Sequence, residues 1–363
     1  MRSLLSILIF GLTGLIIPPK ASASCECIEI DTLPFTANRA GLYCVTRALR
    51  TPTLVDGILV TNSDVTIDLC GNTLYGNGGG TGVALVGTLQ NVTVKNGTLR
   101  DWGTGVEGLT STRLRYEKLN VLDSGGDGLR AGESSTLIDC NVRDGGGRGI
   151  LVMRGSTVRR CVTEGNLGHA TQAGGGGCTF EDCLCEGNLG NGFFSNGLDN
   201  TYIDCTAVGN GLAGILAGGG LVTGCNSMSN GTDGIRVEGA ATISNTTASN
   251  NGNHGIQVYD RAVVRECTLS GNGGAGLLTE SSLNRIEANN ATNNDRGFEI
   301  NGTDNVIVKN SACQNPGGDY IVPIGNKLGT LTTTPIGATP WDNFTCDEEK
   351  GRTLSPNLPT RGR

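Results

Sequence analysis

Residues 251–260 read NGNHGIQVYD, and the heart of that stretch, HGIQV, returns along the whole chain. Its frame is any residue, glycine, apolar, any, apolar. Copies read DGILV (56–60), TGVAL (81–85), TGVEG (104–108), DGLRA (127–131), RGILV (148–152), HATQA (169–173), NGFFS (191–195), AGILA (213–217), DGIRV (233–237), HGIQV (254–258), AGLLT (275–279) and RGFEI (296–300). These twelve copies lie 25, 23 and 23 residues apart at first, then 20 to 22. Alternating apolar residues bounded by Gly or Asn predict short strands. About 21 residues hold three such strands and no helix long enough for a crossover. Each repeat must therefore close into a coil and stack on the next, which predicts an all-β right-handed parallel β-helix of about 12 coils.

A second anchor supports the coil. Segments such as TVRRCVTEGN, TFEDCLCEGN and TYIDCTAVGN place Asn166, Asn188, Asn210, Asn230, Asn250, Asn272, Asn294 and Asn315 in one column. Cys140, Cys161, Cys183, Cys205, Cys225 and Cys267 form another, continued by Asn245, Asn289 and Asn310. Asn tolerates left-handed turns, and stacked amides bond from coil to coil.

The 59 glycines, 4% aromatic and 17% charged residues fit a fold of many tight turns, and exclude collagen and a charge-rich disordered chain. A net charge of −7 gives no nucleic-acid footprint. The N-terminus, MRSLLSILIFGLTGLIIPPKASAS, has a basic start, an apolar run from Leu4 to Ile17 and an A-x-A site at Ala21–Ala23. Residues 1–23 thus read as a signal peptide, too short to span a membrane, and predict a secreted, periplasmic or cell-surface protein. Cys25 lies near the cleavage site, but Ser22 stands where a lipobox carries Leu. Residues 24–55 are expected to cap the first coil, 56–319 to form the helix, 320–346 to cap its far end and 347–363 to be a flexible tail.

The stretches LPFTANRAGLYCVT, NSDVTIDLCGNTLYGNG, NVTVKNGTLRDWGTGV, NRIEANNATNNDRGFEINGTDNVIVKNSACQN and TPWDNF resemble the right-handed β-helix repeat proteins of the pectate-lyase-like superfamily, most closely an exported bacterial group. The resemblance covers nearly all of the mature chain. It implies the fold and a carbohydrate-directed role. Cys often stands here where such repeats carry Asn, as in DLCGN around Cys70, so no disulfide pattern is implied.

Fourteen cysteines in an exported chain ordinarily mean disulfides. Rows of parallel, in-register side chains keep their Cβ atoms farther apart than a disulfide prefers. The cysteine column reads mainly as buried thiols. The alternatives are one or two bridges within it, or pairs with Cys178 or Cys185. Terminal bridges among Cys25, Cys27, Cys44 and Cys70 are also expected. No histidine completes a zinc set around the CxC at 183–185. Asp139, Asp182 and Asp204 share an outward column with Arg160, either a Ca²⁺ stripe or ordinary surface. No cofactor is otherwise implied.

Both histidines, His169 and His254, precede the repeat glycine, in a column with Asp127, Arg148 and Asp233. Two residues after the glycine runs a second column with Arg130, Gln172, Arg236 and Gln257. Core positions do not alternate charge in this way, so the two columns predict one solvent-facing polar stripe. Arg130, Gln172, Asp233, His254, Arg236 and Gln257 are the binding candidates, and an extended polysaccharide is the partner such a stripe suits. His254 itself reads more simply as one rung of a solvated face.

The catalytic candidates are successive rungs: His169, Arg148 and Asp127. A uronide lyase needs a cation for the carboxylate, a base for the C5 proton and an acid for the leaving oxygen. Arg148 or Arg130 would neutralise, His169 would be the base, and Asp127 would orient the histidine or bind a metal. Arg143 and Arg154 lie nearby in sequence. Whether the chain is an enzyme stays open. The alternative is a non-enzymatic extracellular or envelope scaffold or adhesion protein, and in either case a monomer is expected.

Overall fold

The computed structural model describes residues 27–334 and 338–346. The expected signal peptide, Cys25 and the tail at 347–363 lie outside the described residues. One coil shows how the repeat folds. Leu129–Ala131 forms a strand, a turn follows, and Thr136–Ile138 and Asn141–Arg143 complete the circuit. Asp139 and Asp144 bend the chain after the second and third strands, both left-handed at φ 55° and 56°. Asp, Asn and Gly recur at these two bends because they tolerate that conformation best.

Among the described residues, each coil from 127 to 319 sends its first strand to a 14-stranded parallel sheet, here the front sheet, and its other two to a wrapped sheet of 28 strands, while in the coils beginning at Thr81 and Thr104 those two run together as Thr93–Arg100 and Arg115–Leu122. Register is strict. Leu129 pairs with Ile150, Ile150 with Thr171, Thr171 with Phe193 and Phe193 with Ile215. These residues point inward and are fully or almost fully buried. Each such aliphatic or aromatic side chain contributes about 1.5–3 kcal/mol of burial. The repeat glycine exists for close approach. A Cβ on Gly149 would lie 2.6 Å from the Ala170 carbonyl oxygen of the next coil.

Among the described residues the solenoid has fourteen rows, against the twelve expected. Phe35–Ala37 adds a front strand before the first recognised repeat, and Tyr320–Ile321 adds one after the last. Neither carries the repeat glycine, so the frame missed them. At a spacing of about 4.8 Å the front sheet is roughly 62 Å long.

The asparagine ladder holds with one shift. Asn188 donates its N–H and Nδ2 to Asn210 Oδ1 (3.2 and 3.0 Å), and the pattern repeats from row to row. In the coil at 241–254 the ladder residue is Asn251, which accepts from Asn230, while Asn250 is the left-handed bend before it. Likewise the cysteine column continues through Thr246, whose Oγ1 accepts from the Cys225 N–H (3.4 Å), and Asn245 is the bend.

Cys140, Cys161, Cys183, Cys205, Cys225 and Cys267 are buried free thiols, as are Cys178 and Cys185. The column thiols point to the carbonyl two residues back, at 3.2–3.4 Å. Burial pushes the Cys185 and Cys267 thiols up to about 12, so they pack as small apolar groups. Among the described residues the bridges sit at the ends: Cys27–Cys44 and Cys313–Cys346. Cys70 is free and exposed, contrary to its expected place in a terminal bridge.

Candidate functional site

The outer face of the front sheet brings the expected stripe into register. Glu107 pairs with Arg130, Arg130 with Leu151, Leu151 with Gln172, Gln172 with Phe194, Phe194 with Leu216, Leu216 with Arg236 and Arg236 with Gln257. The column is therefore polar at both ends, with Leu151, Phe194 and Leu216 standing around Gln172 in the middle.

The first polar cluster joins Asp127, Arg130 and Arg148. Arg148 Nη2 donates to Asp127 Oδ2 at 2.7 Å, and its Nη1 to Gln172 Oε1 at 3.2 Å. Arg130 Nη1 lies 2.7 Å from Glu107 Oε2 and its Nε 3.5 Å from Asp127. Burial would raise the Asp127 carboxyl, but the side-chain and backbone hydrogen bonds from Arg148 outweigh it and hold it below its ordinary value. The second cluster lies farther along. Arg236 Nη2 donates to Tyr259 Oη (2.9 Å), and the guanidinium sits 5.6 Å from that ring's centroid. Gln257 Nε2 donates to Glu280 Oε1 at 2.9 Å.

Between the clusters, His169 stacks on Phe194 with centroids 4.4 Å apart and planes 25° apart, both rings half-buried. Phe194 and Leu216 are parts of the site that polar patterning does not reveal. Their signal was in the same column, two residues after the glycine.

The pre-glycine column has a task that its charges conceal. Asp56 Oδ1 accepts the Thr81 N–H (2.7 Å), and Asp127 Oδ1 the Arg148 N–H (2.8 Å). His169 Nδ1 accepts from Asn191 (3.0 Å), and Asn191 Oδ1 from Ala213 (2.9 Å). Asp233 Oδ1 accepts from His254 (3.1 Å), and His254 Nδ1 from Ala275 (3.0 Å). Asp, Asn and His all carry an acceptor at the δ position, and here each ties its coil to the next. This corrects the solvent-facing expectation. Asp233 is only 3% exposed and Gln257 6%.

The same geometry recasts the catalytic candidates. With Nδ1 accepting a backbone N–H, neutral His169 carries its proton on Nε2, so the free nitrogen donates and is no base. Burial and the nearby Arg148 charge keep the imidazole below its ordinary value, which favours that neutral form. Asp127 is turned to Arg148 rather than to His169, because the guanidinium offers it a charged fork. Arg143 pairs with Glu164 on the wrapped sheet, and Arg154 is exposed in a turn beyond the front strand.

Asp139, Asp182 and Asp204 occupy left-handed bends, and Arg160 grips Asp139 at 2.7 Å. Backbone conformation accounts for that column. Among the described residues, no group of three His, Cys, Asp or Glu side chains is placed to hold a metal ion.

A parallel β-helix with one in-register stripe across its flat face defines the class. The family model of the right-handed β-helix region matches in four overlapping passes, residues 53–178, 91–221, 157–285 and 215–333. The chain belongs to that family. Among solved structures it is similar to the A-module of mannuronan C-5 epimerase AlgE6 from Azotobacter vinelandii, at 15% identity and TM-score 0.52, covering 88% of this chain and 92% of that one. The tailspike protein of Escherichia coli bacteriophage HK620 aligns at 10% identity and TM-score 0.51, over 84% of this chain and 72% of that one. A periplasmic alginate epimerase, AlgG, aligns at 12% identity and TM-score 0.50, over 76% of each. At these identities the likeness is one of fold. No curated protein matches the sequence.

Proposed function

We propose that the chain is an exported protein that binds an extended polysaccharide along the outer face of its front sheet. The observation that carries this reading is the half-exposed His169–Phe194 stack, centred between two clusters of amide and guanidinium donors. A pyranose presents C–H faces to rings and hydroxyls to such donors. Because contacts repeat at one coil spacing, a repeating ligand meets several at once. Two of the similar folds are named for mannuronan and alginate, which supports an extended polysaccharide, whatever its charge, by analogy of fold. Export is supported by the leader-like N-terminus and by disulfides at both ends of the rod. Among the described residues, no helix is long and apolar enough to cross a membrane.

Binding, rather than elimination with His169 as base, is the chemistry this arrangement favours, since neutral His169 has no free acceptor. The test is titration calorimetry of the purified chain against a panel of extended polysaccharides. Phe194→Ala is expected to weaken binding about three- to tenfold, for a ring contact of ~0.7–1.4 kcal/mol. Unchanged affinity in that variant would remove the ring platform. Failure to bind any polymer would leave the rod as a scaffold.

A further inference from the structure

Among the described residues, every cation in the three columns of this face is paired with a carboxylate. Resting on the reading that this face binds a polysaccharide, we propose that its ligand is uncharged: a neutral, hydroxyl-rich polymer rather than a polyuronate or a sulfated chain.

Between Glu107 and Glu280, the front column and its two flanking columns hold three guanidinium groups: Arg130, Arg148 and Arg236. Each is already committed. Arg130 holds Glu107 at 2.7 Å, Arg148 holds Asp127 at 2.7 Å, and Arg236 holds Glu238 at 3.2 Å. Neither histidine adds a charge, because each uses Nδ1 to accept a backbone N–H. Two carboxylates remain over. Asp233 takes the His254 N–H and Asn253 Nδ2, and Glu280 takes Gln257 Nε2. Among the described residues, no cation lies within ion-pair distance of either.

The stretch thus carries two negative charges in excess, on a chain whose net charge is −7. A polyanion laid along it would set a like charge at successive rungs about 4.8 Å apart and, among the described residues of these three columns, find no unpaired guanidinium to meet; Arg154, exposed and without an ion pair, stands one position outside them in the turn. A neutral sugar needs no cation: its oxygens accept from the amide of Gln172, and its C–H faces lie on Phe194 and Leu216. The excess charge selects by exclusion, while the apolar centre supplies the contact.

The experiment pairs each acidic polysaccharide of a panel with its carboxyl-reduced form, which keeps backbone and linkage and removes the charge. The purified full chain is titrated with both members of every pair at low and moderate salt. The reduced polymer is expected to bind at least about tenfold tighter than its parent at low salt, with the gap narrowing as salt screens the face. In the double variant Glu238→Gln/Glu280→Gln, at two exposed positions, the gap should shrink severalfold while the neutral polymer still binds. A parent polyuronate that binds tighter than its reduced form, and loses affinity in salt, overturns the neutral ligand. The face itself is then retained if Phe194→Ala still weakens binding. Binding to neither member of any pair overturns both readings.

Discussion

Replacing His254 with Ala removes one acceptor from the inter-coil ladder and leaves the Ala275 N–H, on a residue with 0% exposure, without its partner. An orphaned buried donor costs about 1–3 kcal/mol, the lower end applying if water enters the space left by the ring. For a chain of this size that corresponds to a fall in Tm of roughly 1–5 °C. Solenoid stability is a sum of coil and nearest-neighbour terms, so the loss should concentrate where this coil meets the next. Amide exchange at Ala275 is therefore expected to accelerate by about five- to 150-fold, at ~1.4 kcal/mol per tenfold. His254→Asn is the control, since Asn191 shows an amide oxygen doing the same work, 2.9 Å from the next coil's N–H. It should restore most of both quantities. If His254→Ala left Tm and exchange unchanged but abolished glycan binding, the ladder account of this residue would be wrong.

Two further outcomes follow from titratable groups. His169 has its folded-state pKa depressed by burial and Arg148, so its contribution is present above the ordinary histidine value near 6.5 and is lost as pH falls below it toward the folded pKa. Thermal melts from pH 7.5 down to 5 should show a falling Tm, and the slope should flatten in His169→Asn; an unchanged slope would exclude this histidine as its source. Cys70 is the exposed free thiol among the described residues, with its pKa raised by partial burial and by Asp68. Peptide mapping after alkylation of the folded chain should find Cys70 modified, increasingly so as pH rises, and the column cysteines untouched until denaturant is added; rapid native labelling of Cys205 would contradict the buried ladder.

Much of this architecture was legible because the repeat is a physical necessity. The glycine before Ile150 is forced by a neighbouring carbonyl, and the alternation after it by an inward and an outward face. What escaped has equally physical causes. Asn250 and Asn251 stand side by side, and Asn suits both a left-handed bend and an amide ladder, so the sequence pattern alone does not say which is which. The end rows were missed because Phe35–Ala37 and Tyr320–Ile321 keep the strand without the glycine. Sorting the pre-glycine column by charge hid what Asp127, His169 and Asn191 share, an acceptor at equal reach. Phe194 was passed over because a polar stripe was sought, and the ring interrupts it.

The strict register of the front sheet also makes distance along it a matter of counting. Arg130 and Arg236 stand five rungs apart, and each rung bonds only to its neighbours. A coil gained or lost between them by duplication or deletion would move the two clusters by one step of about 4.8 Å and leave the chemistry of each intact. The rod is in that sense a gauge, its length adjustable in whole units without redesign of either end.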